Sequence, residues 1–396
     1  MAPDDLAFAP TLSLEARARE IAQHVAARHA DAVDAESRFP AEAVSALREA
    51  GLFGAAIPRE FGGHGASFAT IVAICHELGQ ACSNTAMVFA MHQIQIACVV
   101  EHGRHSAWHR AFLRRAAQQQ LLLASATTEG SSGGDVRRSE CTVVEQDGLA
   151  SVQKSGCIIS YAEHADAILT TARRSVESAP SDQVLVVAER GQCSLQQNSQ
   201  WDVLGMRGTC SAGYSLVLEV DPAQILPTPY AEISAQTMLP VSHVTWAALW
   251  LGIATAACTR ARAAIRRRAA PAASGAPPGA ARLVEALTQL QGLRAQVGDA
   301  VGRYAAVRDG PDELGSIQFA LSMNHLKLAV SSGTVQVVGQ AMLAAGLSAY
   351  RNDSPHSLGR HLRDAHSAAL MIGNDRIIAN CAALLPAYRG EESLYP

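Results

Sequence analysis

Across residues 13–103 the apolar positions recur at helical spacings. Over residues 14–30, Ala16, Ile21, Val25 and Ala26 alternate with charged positions and predict an amphipathic helix. The run Phe39-Pro40-Ala41-Glu42 puts a proline near the next helix start, where its missing N–H costs nothing, and Gly51 supplies the stop. A third helix is predicted over residues 67–79. The fourth, over residues 84–100, is almost wholly apolar and so belongs in a core. After Leu123 the pattern changes to short runs rich in Val, Ile, Leu and Thr, separated by Gly, Asp and Ser. Residues 141–144, 167–171, 184–187 and 214–220 predict antiparallel strands joined by tight turns. Helical spacing returns at Pro240 and lasts to the end, broken by a linker-like Ala/Pro/Gly segment at residues 270–279. No internal repeat is visible. The expected class is α+β and multidomain. It has an N-terminal helical domain over 1–123, a middle antiparallel β domain over 124–235, and a C-terminal four-helix-bundle-like domain over 236–396.

Composition narrows the function. The 396 residues are 48% hydrophobic and 17% charged, with a formal net charge of −4. This balance gives no electrostatic reason to expect nucleic acid. The longest apolar runs are interrupted by polar residues, so no membrane partner is expected. Nine scattered cysteines include no Cys-x-x-Cys pair, so no metal site is expected. The odd cysteine count suits a reducing compartment. No basic stretch followed by an apolar core opens the chain, so no signal peptide is expected and the cytoplasm is the expected location.

The loop Thr127-Thr128-Glu129-Gly130-Ser131-Ser132-Gly133-Gly134-Asp135 carries the first candidate chemistry. It has three readings. Gly130 to Gly134 formally matches the Gly-x-Ser-x-Gly of hydrolases, but that motif requires a helix after it and here a strand follows. A plain surface turn is the second reading. The third is a cradle whose backbone N–H groups and hydroxyls hold a polar ring or phosphate. Gly63-x-Gly65 is no dinucleotide fingerprint, because Phe68 takes the third glycine's place and no strand precedes it.

Several motifs in order resemble the acyl-CoA dehydrogenase family over nearly the whole chain. Thr-Glu-x-x-x-Gly-x-Asp at the entry of the β region resembles its flavin loop. The stretch Gly156-Cys157-Ile158-Ile159-Ser160, leading to Ala165-Asp166, resembles its second flavin segment. Leu204-Gly205-Met206-Arg207-Gly208-Thr209-Cys210-Ser211 is characteristic of it, as are Gln336-Val337-Val338-Gly339 and Arg363-Asp364-Ala365. The resemblance implies FAD, with FMN the less expected form. It places Ala126, Thr127, Thr128, Gly133, Gly134, Ile158 and Ser160 along the ring. Arg267 is implied at the pyrophosphate. Gln336 and Gly339 are implied at the flavin of a neighbouring subunit in a homodimer or homotetramer. Ile158 stands where the family often has Trp. Its bland alternative is a buried strand residue. Arg207 fits an ion-pair partner as well as a ligand contact.

The resemblance breaks at the expected base. The family's glutamate position holds Ile372, and the alternative position falls on Ser242. Neither is a carboxylate. His243, near the start of the Pro240 helix, is a candidate base whose pKa a helix N-terminus would lower. His92 is a candidate acid/base or substrate-orienting group, weighed evenly against a core histidine satisfied by backbone. His366 is a further catalytic candidate, with Ser160. Met91, Ser242, Met371 and Ile372 are expected to line a substrate pocket. One branch of the fold lacks the glutamate and uses molecular oxygen as co-substrate. That branch is the expected one, acting on an acyl or aromatic thioester in secondary metabolism of the tropone type, with a flavin reductase as a partner. The alternatives are an acyl-CoA dehydrogenase with a non-standard base and a non-catalytic thioester-binding protein.

Overall fold

The computed structural model describes residues 12–130, 135–268 and 275–388. Their order is helices, then strands, then helices. The chain divides into two compact units, residues 1–238 and 239–396.

In the first unit Ser13 caps α1 (Leu14–Ile21), its Oγ accepting the Ala16 N–H at 3.2 Å. A π-helical turn, Ala22–Ala26, carries the helix into α2 (Ala27–Ala35). Helix α3 (Ala41–Glu49) starts directly after Pro40, and Gly51 lies just beyond its end. Ser67 caps α4 (Phe68–Ala81). Helix α5 (Ser83–Gly103) is buried around most of its circumference, as its apolar run requires, and α6 (Ala107–Gln119) follows.

Among the described residues seven strands make two sheets. β1 (Leu123–Ala126), β4 (Ala167–Arg173) and β5 (Gln183–Glu189) form one, in the order β1-β4-β5. β2 (Val143–Gln146), β3 (Leu149–Gly156), β7 (Tyr214–Val220) and β6 (Cys193–Gln197) form the other, in the order β2-β3-β7-β6. Among the paired strands the expectation of antiparallel pairing holds except for one pair, and an isolated parallel bridge joins Thr142 to Arg173. β1 runs parallel to β4, with Leu123 opposite Ala167. The intervening chain carries the β2–β3 hairpin and re-enters beside β1 in the same direction, which a tight turn could not do. β4 and β5 are buried along both faces and read as continuous apolar runs, whereas β7 alternates buried and exposed positions. Asp147 and Gly148, both at positive φ, form the two-residue turn between β2 and β3. Ile96, Val99, Phe112, Leu123, Leu169, Leu185 and Val187 belong to one core that joins α5 and α6 to the smaller sheet. The division expected at residue 123 therefore falls inside a shared core.

A short helix α7 (Tyr230–Ile233) and a π turn precede the second unit. That unit contains α8 (Leu239–Arg268), α9 (Ala280–Val307), α10 (Pro311–Leu314), α11 (Ile317–Ala345), α12 (Leu347–Tyr350), α13 (Gly359–Ser367) and α14 (Asn374–Leu384). The long helices α8, α9 and α11 pack on one another, with α13 against α8 and α11 and α14 against α11. Residues Tyr230–Arg268 and α11 are long and apolar enough to cross a membrane, but the apolar window of the former is 94% buried within the fold, as in a core helix.

Candidate active site

The segment that resembles the family's second flavin segment leaves β3 at Gly156. Ile158 is 47% exposed although apolar, while its neighbour Ser160 is nearly buried. The Thr128 hydroxyl donates to the Ile158 carbonyl at 3.2 Å, so the loop after β1 and the segment after β3 meet here. Ala126 closes β1 and is fully buried; Thr127 and Thr128 are half-buried. An exposed apolar side chain beside a hydroxyl and a threonine-bearing loop suits one face of a flat polar ring. Gly133 and Gly134 lie outside the described residues. The described residues after the gap lead to β2 and not into a helix, as the hydrolase motif would need.

Ser160 begins a line of hydroxyls. Its Oγ lies 2.7 Å from Ser211 Oγ, which lies 2.8 Å from Thr209 Oγ1. Thr209 Oγ1 donates to the Met206 carbonyl at 2.8 Å. Arg207, beside it, settles as a structural residue: its Nε donates to the Asp34 carbonyl at 2.8 Å and Nη1 to that of Val203 at 3.2 Å. Gly208 must be glycine, because a Cβ would come within 2.3 Å of the Val33 side chain and 2.8 Å of the Arg38 carbonyl.

His92 proves to be a clamp. Leu123 N–H donates to its Nδ1 at 3.1 Å, so the ring proton sits on Nε2 and is donated to the Phe53 carbonyl at 2.8 Å. Both ring nitrogens are committed to main chain. Burial drives its pKa down to about 4, against the upward pull of the Phe53 carbonyl. The ring has neither a free proton nor a free lone pair, which corrects the expectation of an acid/base role. Met91 beside it is partly exposed.

Sequence reading missed the device that holds the loop after β1. Glu129 accepts from Lys154 Nζ at 2.7 Å, Ser139 Oγ at 2.5 Å and the Glu140 N–H at 2.8 Å. Lys154 also donates to the Thr171 carbonyl and hydroxyl at 2.8 and 3.1 Å. The side chains are 5% and 0% exposed. Burial alone would raise the Glu129 carboxyl, but the hydrogen bonds and charge of Lys154, with Ser139, hold it below the usual range. The signal was present: Ala150, Val152, Lys154 and Gly156 share the buried face of β3, and a charge on such a face demands a partner.

In the second unit Ile372 has φ +47, a left-handed conformation disfavoured for a β-branched residue. Its carbonyl accepts from Lys327 Nζ at 2.9 Å, which also donates to Asn374 Oδ1 at 2.6 Å; Asn374 Nδ2 in turn donates to Ser331 Oγ at 3.1 Å. Burial lowers the Lys327 pKa to about 8. Lys154 and Lys327 are the only lysines in the chain, and both side chains are buried. Ser242 is buried and donates to the Leu239 carbonyl at 2.8 Å. His243 is neutral for a different reason from the one expected. Helical turns begin already at Tyr230, so His243 is not at a helix N-terminus. Burial first, then the Lys327 charge, pushes it down to about 3. His366 is exposed in the last turn of α13; Met371 is half-buried. Arg267 and Gln336 are exposed, and a Cβ on Gly339 would meet nothing within 4 Å. Among the described residues no group of three His, Cys, Asp or Glu side chains could hold a metal ion.

Comparison with known proteins follows this geometry. Residues 11–120 match the family described as acyl-CoA dehydrogenase, N-terminal domain, and residues 244–376 match acyl-CoA dehydrogenase, C-terminal domain. A probable FMNH2-dependent monooxygenase of Pseudomonas putida is 27% identical over 255 residues, spanning 61% of this chain and 60% of that relative. A dibenzothiophene monooxygenase of Rhodococcus qingshengii is 24% identical over 319 residues, 74% of this chain and 76% of the relative. The solved methanesulfinate monooxygenase of Pseudomonas fluorescens shares the fold with a TM-score of 0.82, at 21% identity, over 97% of this chain and 100% of that one.

Proposed function

The chain belongs to the acyl-CoA dehydrogenase family, and on that premise we propose that it is a flavin-dependent monooxygenase. The observation that carries the reading is Ile372. The position where the family holds its base is a hydrocarbon side chain whose main-chain carbonyl is tied to Lys327. The alternative position, Ser242, is a buried hydroxyl tied to its own helix. A positioned base contributes about a hundred- to ten-thousand-fold in rate, and α,β-dehydrogenation without one would forgo it. Two relatives, 27% and 24% identical, are named as monooxygenases, which favours oxygen as co-substrate.

The residues present suit a flavin. Thr127, Thr128 and Ala126 would line one side of the ring, with Ile158 against it and Ser160 towards its reactive nitrogen. A bound flavin would supply the redox chemistry with oxygen, and these residues would hold and orient its ring. Glu129 and Lys154 hold the loop that bears the threonines. FAD is the form the sequence resemblance implies, while the Pseudomonas relative is named for FMNH2. The two share the ring that these residues would touch. We further propose a cytoplasmic homo-oligomer supplied by a flavin reductase. The substrate is a small sulfur-bearing molecule, either an acyl or aromatic thioester or a compound of the kind the relatives are named for.

The test is anaerobic. Acyl-CoA added to the chain with oxidised flavin should leave the flavin absorbance unchanged, and bleaching would favour a dehydrogenase instead. Reduced flavin on the chain, then exposed to oxygen and a thioester or thioether, should yield oxygenated product.

A further inference from the structure

We propose that Thr209 and Ser211 are positioning residues that fix the sense of the Ser160 hydroxyl, so that Ser160 acts only as an acceptor and favours reduced over oxidised flavin. The inference rests on the flavin reading above. The argument is a count of protons. Three oxygen–oxygen contacts run in a line: Ser160 Oγ to Ser211 Oγ at 2.7 Å, Ser211 Oγ to Thr209 Oγ1 at 2.8 Å, and Thr209 Oγ1 to the Met206 carbonyl at 2.8 Å. Each contact needs one hydrogen, and each hydroxyl carries one. The Met206 carbonyl has none to give, so Thr209 donates to it. Thr209 then accepts from Ser211, and Ser211 accepts from Ser160. The line has a single direction. Ser160 ends it with lone pairs and no proton left to offer.

The terminus of the line is firmly held. The Met206 carbonyl also accepts from the Thr209 N–H at 3.2 Å and from Trp201 Nε1 at 3.1 Å. The Tyr161 N–H donates to the Thr209 carbonyl at 2.9 Å, and the Ile159 N–H to that of Ala212 at 3.0 Å, so the main chain on both sides of Ser160 is pinned to the segment bearing Thr209 and Ser211. Met206, Cys210 and Tyr161 all have positive φ, at 55°, 46° and 42°. The fold thus keeps three non-glycine residues in a disfavoured region around one hydroxyl line.

The chemical consequence follows from the ring. The central reactive nitrogen of a flavin bears a lone pair when oxidised and an N–H when reduced. An acceptor-only Ser160 pairs with the N–H and opposes the lone pair.

The full chain would be titrated anaerobically with FMN and with FAD, each in oxidised and reduced form, and the dissociation constants compared. The expected result is tighter binding of the reduced form, by about threefold to tenfold, the worth of one neutral hydrogen bond. Ser211→Ala and Thr209→Val each free a proton upstream, let the Ser160 hydroxyl turn outward, and should bring the ratio towards one; Thr209→Ser should keep it. The two cuts fall at different bonds, so either folded variant suffices. An unchanged ratio in either folded variant, or a wild-type chain that prefers oxidised flavin, would overturn the inference while leaving flavin binding intact. No binding in either redox state would overturn the flavin reading itself, and the inference with it.

Discussion

Lys327 donates its ammonium to the main-chain carbonyl of Ile372 across 2.9 Å, and that bond holds an isoleucine at φ +47. The pairing explains why Ile372, which the resemblance sets at the family's base position, is locked by its backbone while its side chain is left partly exposed. It also accounts for a lysine here in a chain whose other Lys/Arg positions, apart from Lys154, are arginines. Lys327 places a compact charge between Ile372 O and Asn374 Oδ1, where a planar guanidinium fork would not fit the same space.

Replacing Lys327 should therefore be costly. Lys327→Met removes the charged donor to the Ile372 carbonyl and to Asn374 Oδ1 and should lower stability by about 2–3 kcal/mol, as for lost hydrogen bonds to a charged group. Lys327→Arg keeps the charge and should still destabilise. Urea denaturation measures both. The wild-type lysine also has a pH signature. Its folded pKa, about 8, lies below its ordinary 10.5, so the unfolded chain binds the extra proton between these values. Wild-type stability should rise relative to Lys327→Met from pH 8 towards 10.5.

Acid should act in the opposite sense. Burial holds His92, His102 and His109 down to about 4 and His243 to about 3. These groups are neutral when folded and charge near 6.5 when unfolded. Their stabilising contribution is complete above pH 6.5 and is lost as pH falls from there towards 4. Stability measured by denaturant titration at pH 7, 6, 5 and 4 should decline steadily. His92→Gln should flatten that decline by about one proton's worth and cost about 1–3 kcal/mol at pH 7 by leaving a backbone partner unpaired. A variant with unaltered stability at pH 7 would contradict the clamp.

The Glu129–Lys154 pair should show strong coupling. Either single change, Glu129→Gln or Lys154→Met, leaves a buried charge uncompensated and should cost about 3–5 kcal/mol. The double variant should recover much of the loss. A double-mutant cycle read by chemical denaturation would return near-additive losses only if the pair were unimportant. Because Glu129 sits in the loop with Thr127 and Thr128, flavin affinity should fall alongside stability in the single variants.

Much of this was legible in the sequence. The apolar run of α5 announces a buried helix, Ser67 and Pro40 mark helix starts, and the alternation of Tyr214–Val220 gives its register. Other features were not. β1 is only Leu123–Ala126, and its partner begins at Ala167, so nothing local marks either its existence or its parallel sense. The π turn at Ala22–Ala26 has the same residue types as the helices around it. His92 could be read as clamp or catalyst because its partners, Phe53 and Leu123, are main-chain groups that no side-chain pattern reveals. Thr209 and Ser211 were visible only as motif letters; their direction as a proton line depends on where the Met206 carbonyl points. The lysine count, by contrast, was readable from the start.

The central claim is oxygen chemistry without the family's carboxylate base. The most direct measurement uses isotopically labelled oxygen gas with the chain, a reduced flavin and a sulfur-bearing substrate, followed by mass spectrometry of the product. The account predicts one labelled oxygen atom in the product and no bleaching of oxidised flavin by acyl-CoA in anaerobic controls. Bleaching of that flavin with formation of an α,β-unsaturated thioester, and no label in any product, would contradict it.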